Sequence, residues 1–165
     1  RLATRQTSGY RANEAIDINQ VRYQTIGWRE HVALPELRVD RLTAKIDTGA
    51  KTSALHATNI CERVIDNERW VEFDLPGDSA TTLVRHRSPI LDERLIKNTS
   101  GKKHLRYLIR TALVMGSRQW RIDLSLTDRA HMRYDLILGR TAVRSRGLLI
   151  NPGRSFLAGS PQYEQ

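Results

Sequence analysis

One cysteine, two phenylalanines and five prolines stand in a chain of 165 residues, and each shortage removes a class of protein. With Cys61 alone there is no internal disulfide framework and no cysteine-rich zinc cage. No apolar run approaches the roughly 18 residues that a membrane-spanning helix needs. Heptads, short periods and long low-complexity tracts are missing, which excludes coiled coil, collagen and solenoid arrays. Aromatic residues make up 6% of the chain, too few to interleave with basic residues as single-strand nucleic-acid platforms require.

What is present suits one soluble domain. Hydrophobic residues are 39% and charged residues 27%, enough to bury a core without a disulfide or metal staple. The length matches a prior of about 150 residues per domain. Net charge is +9, from 27 basic and 18 acidic residues. Only five of the basic residues are Lys; 22 are Arg, whose planar fork matches carboxylate and phosphate. They are spread along the whole chain, as on a solvated surface, which weakens the case for a nucleic-acid arm and leaves an acidic partner, nucleic acid or polypeptide, open. The chain starts at Arg1 rather than Met, which leaves the compartment open between cytoplasm and periplasm.

Residues 1–20 are polar with few apolar anchors and read as an N-terminal arm, followed by a domain over 21–165. The segment from Val32 to Leu37 is interrupted by Pro35 and suits an edge strand or loop. Leu42, Ala44 and Ile46 alternate in a period-2 strand that runs into Asp47, and Ser53 to Ala57 follows as another. Trp70 to Leu75, the Pro76-Gly77-Asp78 turn and Thr81 to Val84 form a hairpin. Arg94 to Lys97 and Leu105 to Met115, joined through Asn98 to Gly101, form a second. Trp120 to Leu126, Asp135 to Gly139 and Leu148 to Ile150 complete the strands, and only Thr141 to Arg146 looks helical. Many short strands with almost no helix indicate a small β-barrel or folded sandwich.

Several chemical motifs fail on inspection. Gly49-Ala50-Lys51-Thr52 imitates the end of a phosphate-binding loop, but Ala50 and Ala44 stand where that loop needs glycine, and a strand follows instead of a helix. The five histidines show no paired metal spacing, so no metal and no cofactor are expected. No Gly-x-Ser-x-Gly elbow marks a nucleophilic serine. Asp47-Thr48-Gly49 survives: a carboxylate at the end of a buried strand is costly unless its charge is used or hydrogen-bonded. A bare Asp-Thr-Gly is more often a simple Asx turn, so its context decides.

That context is Asp47-Thr48-Gly49-Ala50, then a turn-tipped hairpin, then Ile137-Leu138-Gly139-Arg140. In order and spacing it resembles the retropepsin aspartic proteases. The longer string from Ala44 to Ala57, with Ile26-Gly27-Trp28-Arg29-Glu30, Leu34-Pro35, Thr127-Asp128-Arg129 and Met132, is similar to the bacterial retropepsin-like family once labelled "putative ATP-dependent zinc protease", over roughly residues 25–157. The resemblance implies an all-β, closed acid-protease barrel with a flap hairpin and one short C-terminal helix. It implies an aspartic peptidase working as a homodimer, with Asp47, Thr48 and Gly49 catalytic. Ala50, Lys51, Gly101 at the flap tip and Arg140 would face substrate. Viral retropepsins carry Asp where Lys51 stands, paired with the Arg of the late motif. Lys51 and Arg140 cannot hold each other, so either Arg140 finds another carboxylate or both cations face the cleft and favour an acidic substrate. A related member of the family is associated with a ligase that adds glutamates to a ribosomal protein, which agrees with a basic cleft. Residues 59–93 are an insertion that closes the barrel, covers a cleft or replaces part of a dimer interface. The alternative to a peptidase is a non-catalytic module of the same fold that binds acidic peptides or a protein partner.

Overall fold

The alternation read around Asp47 is realised in β4 (Val39–Asp47), where Ala44 and Ile46 are buried and Thr43, Lys45 and Asp47 point the other way. The computed structural model describes residues 16–18, 21–79, 81–97 and 100–164. Six strands close into a barrel: β3 (Arg29–Leu34), β4, β12 (Leu136–Gly139), β5 (Ser53–His56), β11 (Arg118–Thr127) and β10 (Lys103–Met115), which returns to pair with β3. β12 lies between β4 and β5, parallel to the first with Gly139 opposite Asp47, and antiparallel to the second. That insertion of a late strand beside an early one places the Asp47 loop against the end of β12. β9 (Asp92–Lys97) pairs with the first half of β10 and forms the edge of this sheet.

The barrel interior collects Ile109, Leu113, Leu124, Leu126, Leu136 and Leu138, all essentially buried. Trp120 lies among them and donates its indole N–H to the Ala142 carbonyl at 2.9 Å, which fastens the short helix α1 (Arg140–Val143) to the barrel. The expected helix over Thr141 to Arg146 is shorter and starts one residue earlier, because Arg144 turns extended and Ser145 and Gly147 adopt positive φ.

Two other elements differ from the sequence reading. β3 is not at an edge: it sits between β4 and β10, its Val32, Ala33 and Leu34 are fully buried, and Pro35 only starts the 3-10 turn over Pro35–Leu37. The insertion is a three-stranded meander of β6 (Thr58–Ile65), β7 (Glu68–Pro76) and β8 (Leu83–Pro89), not a lone hairpin. β6 escaped notice because a bulge near Asn59, at φ 50, breaks its alternation. The meander does not close the barrel, which β10 closes, but Val71, Phe73 and Leu75 of β7 join the same core.

A third small sheet joins β1 (Ile16–Ile18), β2 (Val21–Gly27) and β13 (Leu148–Asn151). The strand Ile16–Ile18, near the end of the expected arm, therefore pairs with β2 of the domain; residues 1–15, 19 and 20 lie outside the described residues. The Ile26-Gly27-Trp28-Arg29-Glu30 string is explained by the C-terminal segment that crosses it. Glu30 is fully buried, and its carboxylate accepts the amides of Gly27, Leu157 and Ala158 at 2.7, 3.0 and 2.8 Å. A Cβ on Gly27 would lie 2.4 Å from the Arg154 carbonyl oxygen, so only glycine permits that approach. The Trp28 carbonyl in turn accepts the amide of Ile46, the residue before Asp47.

Candidate active site

Asp47 ends its strand because the next residues turn on its own side chain. The Gly49 amide donates to Asp47 Oδ1 at 3.1 Å and the Ala50 amide to the Asp47 carbonyl at 3.2 Å, a compact Asx turn. One carboxylate oxygen is thus engaged, and Oδ2 makes no hydrogen bond among the described residues. Thr48 is exposed and its hydroxyl has no partner there either.

The loop is held from one side by the end of β12 and the start of α1. The Arg140 amide donates to the Ala50 carbonyl at 2.8 Å, and the Thr141 amide and hydroxyl donate to the Lys51 carbonyl at 3.3 and 2.7 Å. The Gly139 amide donates to the buried Ser53 hydroxyl at 3.0 Å. Gly139 itself is a matter of space: a Cβ there would meet Thr52 C at 2.8 Å and the Ala50 and Lys51 carbonyl oxygens at 2.9 Å. Ile137-Leu138-Gly139-Arg140 thus braces Asp47-Thr48-Gly49-Ala50-Lys51 through backbone contacts.

Arg140 settles one open alternative. Its guanidinium neither pairs with a carboxylate among the described residues nor points free; Nη1 donates to the Gly49 carbonyl at 3.2 Å. A cation on that carbonyl stiffens the turn beside the carboxylate. Lys51 is exposed and has no acidic partner among the described residues, so of the two cations expected at the cleft it is the one left uncommitted. Gly101 lies at the tip joining β9 to β10 with φ 82, a conformation that suits glycine; its neighbours 98 and 99 lie outside the described residues.

Compared with known proteins, residues 25–161 match the model of the RimB-like family, described as the retropepsin-like aspartic endopeptidase RimB. The chain belongs to the RimB-like family. Its curated relatives include a probable alpha-L-glutamate ligase of Parasynechococcus marenigrum, 38% identical over 85% of this chain and 30% of that protein. Another of the same name, from Desulfotalea psychrophila, is 38% identical over 84% of this chain and 30% of its own length. The chain therefore spans about 30% of the curated relatives it matches. A solved Legionella pneumophila protein of unknown function has the same fold, with TM-score 0.67 and 27% identity over 81% of this chain and 97% of that one.

The sequence reading missed Ser53 and Thr141, which tie β12 and α1 to the loop. Thr141 had a signal, since it directly follows the Ile-Leu-Gly-Arg motif; Ser53 had none beyond being a polar residue in an apolar strand.

Proposed function

We propose that this RimB-like domain is an aspartic-type peptidase whose active form is a homodimer with one Asp47 from each chain. The observation that carries the reading is the braced Asx turn, which presents a carboxylate with one oxygen engaged and the other, like the hydroxyl of the exposed Thr48, without a partner among the described residues. A two-fold axis through this loop brings two such carboxylates together. Like charges in contact cannot both ionise, so the pair shares a proton. The ionised member takes a proton from water, whose oxygen attacks the peptide carbonyl carbon. The protonated member donates to the carbonyl oxygen, and the tetrahedral species breaks down as a proton reaches the departing amide nitrogen. Thr48 braces the two loops across the axis, Gly49, Ala50 and Lys51 line the substrate backbone, and the β9–β10 hairpin with Gly101 closes over it as flap.

An acidic substrate fits two features. Lys51 is an exposed cation two residues beyond Gly49 with no acidic partner among the described residues, and the longer relatives are named for ligation of glutamate, whose product gains carboxylates. A peptidase domain in one polypeptide with such an activity meets that product first. The test is hydrolysis of glutamate-rich peptides by wild type and Asp47→Asn. The variant should fold normally and lose activity by about three orders of magnitude or more. Wild-type binding without hydrolysis would instead mark a non-catalytic module.

A further inference from the structure

Pairing across the barrel carries the Asp47 face onto β10. Asp47 stands opposite Gly139 and Lys45 opposite Ile137; Ile137 stands opposite Ala54, Ala54 opposite Ser125, and Ser125 opposite Leu108. Residues directly opposite share a face, so Arg106, two residues before Leu108, projects on the side of the sheet that bears Asp47. By register it lies four strand spacings and four residues along the strands from Asp47, roughly 23 Å, which about seven residues of an extended peptide cover.

Three features of this spot are hard to explain by folding alone. Arg106 is half-buried and makes no ion pair among the described residues, while burial and the nearby charge of Arg129 both lower its pKa. Its direct cross-strand neighbour is another arginine, Arg94, and like charges placed opposite each other weaken a sheet. On β9, Asp92 faces Arg94 at 3.8 Å and accepts the Glu93 amide, while the Glu93 carboxylate is paired with Arg69 at 2.6 Å. On the same face Ser125 is only 6% exposed, and its buried hydroxyl has no hydrogen-bond partner among the described residues. A bound anion would relieve the repulsion and satisfy the hydroxyl at once.

We infer that Arg106, with Arg129 and the Ser125 hydroxyl, forms a specificity pocket for a carboxylate side chain of the substrate, several residues from the scissile bond. This inference rests on the peptide-binding reading of the Asp47 face and names residues that determine its acidic preference. The cation that selects acid is then Arg106 rather than Arg140, which the loop has already engaged.

The experiment uses Asp47→Asn protein, so that binding is read without cleavage, and fluorescein-labelled hexaglutamate and hexaglutamine in an anisotropy titration. Hexaglutamate should bind more tightly than hexaglutamine. Adding Arg106→Gln should weaken hexaglutamate about tenfold or more and leave hexaglutamine unchanged, and Arg106→Lys should restore part of the loss. Arg63→Gln removes the same charge from an exposed position on β6 and should change affinity less than about twofold. Ser125→Ala, which removes a hydroxyl without a partner among the described residues, should also weaken hexaglutamate while leaving the melting temperature unchanged or higher. Equal losses for Arg106→Gln and Arg63→Gln, or equal affinity for the two peptides, would overturn the pocket. Hydrolysis by the wild-type enzyme is a separate readout: its absence alongside Arg106-dependent binding defeats the peptidase reading and leaves the pocket standing.

Discussion

Replacing Gly139 by Ala tests whether the late motif truly braces the candidate catalytic loop. Gly139 has φ −77 and ψ 170, which any residue adopts, so the added methyl brings no backbone strain. Its cost is space. The new Cβ would lie 2.8 Å from Thr52 C and 2.9 Å from the Ala50 and Lys51 carbonyl oxygens, against ordinary contact from 3.4 Å upward. All three are backbone atoms, and the two oxygens accept the hydrogen bonds from Arg140 and Thr141. The loop must retreat by about half an ångström, which overpacks the site by about 1–3 kcal/mol. The same movement stretches bonds worth about 0.5–1.5 kcal/mol each. A total near 3 kcal/mol lowers the melting temperature of a domain of this size by roughly 6–12 °C. Gly153→Ala is the control, because the nearest atom to its Cβ would be Asn151 Oδ1 at 3.4 Å, and it should stay within about 0.5 kcal/mol of wild type. Circular dichroism melts and peptide hydrolysis are measured on both. A Gly139→Ala protein that melts and cleaves like Gly153→Ala would refute the bracing.

Glu30→Ala leaves three amides of buried backbone without their acceptor, and urea unfolding should show a loss of about 4 kcal/mol or more; a loss below about 1 kcal/mol would mean that the C-terminal segment is held by other contacts. The hydrogen bond from Arg121 holds the Glu36 carboxyl below its usual value of 4.5. A lowered folded value stabilises the protein above pH 4.5, and that contribution disappears as pH falls through the lowered value. Arg121→Gln should therefore destabilise by less than about 1 kcal/mol at pH 7, since the pair is about half exposed, and by nothing near pH 2. A penalty that persists unchanged in acid would point to packing rather than charge.

Much of the barrel was legible because alternation is a local signal. Leu42, Ala44 and Ile46 announce β4, and Trp120, Ile122, Leu124 and Leu126 announce β11, each with neighbours two residues away. The Asp47 motif and its partner at Ile137 could be matched because both are short and contiguous. What could not be read depends on pairing between distant segments. Arg129 stands in the Thr127-Asp128-Arg129 string, but nothing around Arg106 marks it, and the two come near each other only because β10 and β11 pair. Glu30 finds two of its amides at Leu157 and Ala158, and Arg140 finds the Gly49 carbonyl rather than a carboxylate, as only the folded loop decides. β6 hides behind its bulge, and β3 behind a proline that belongs to the following turn.

The central claim is that hydrolysis needs Asp47 from two chains, and subunit mixing tests it most directly. Wild type and Asp47→Asn are unfolded together and refolded in defined ratios, and peptide hydrolysis is measured at constant total protein. A shared dyad makes mixed dimers inactive, so an equal mixture should retain about one quarter of the wild-type activity, the share of dimers with two wild-type chains. Retention of about one half, falling in proportion to the wild-type fraction, would show that each chain acts with its own Asp47 and would contradict the account.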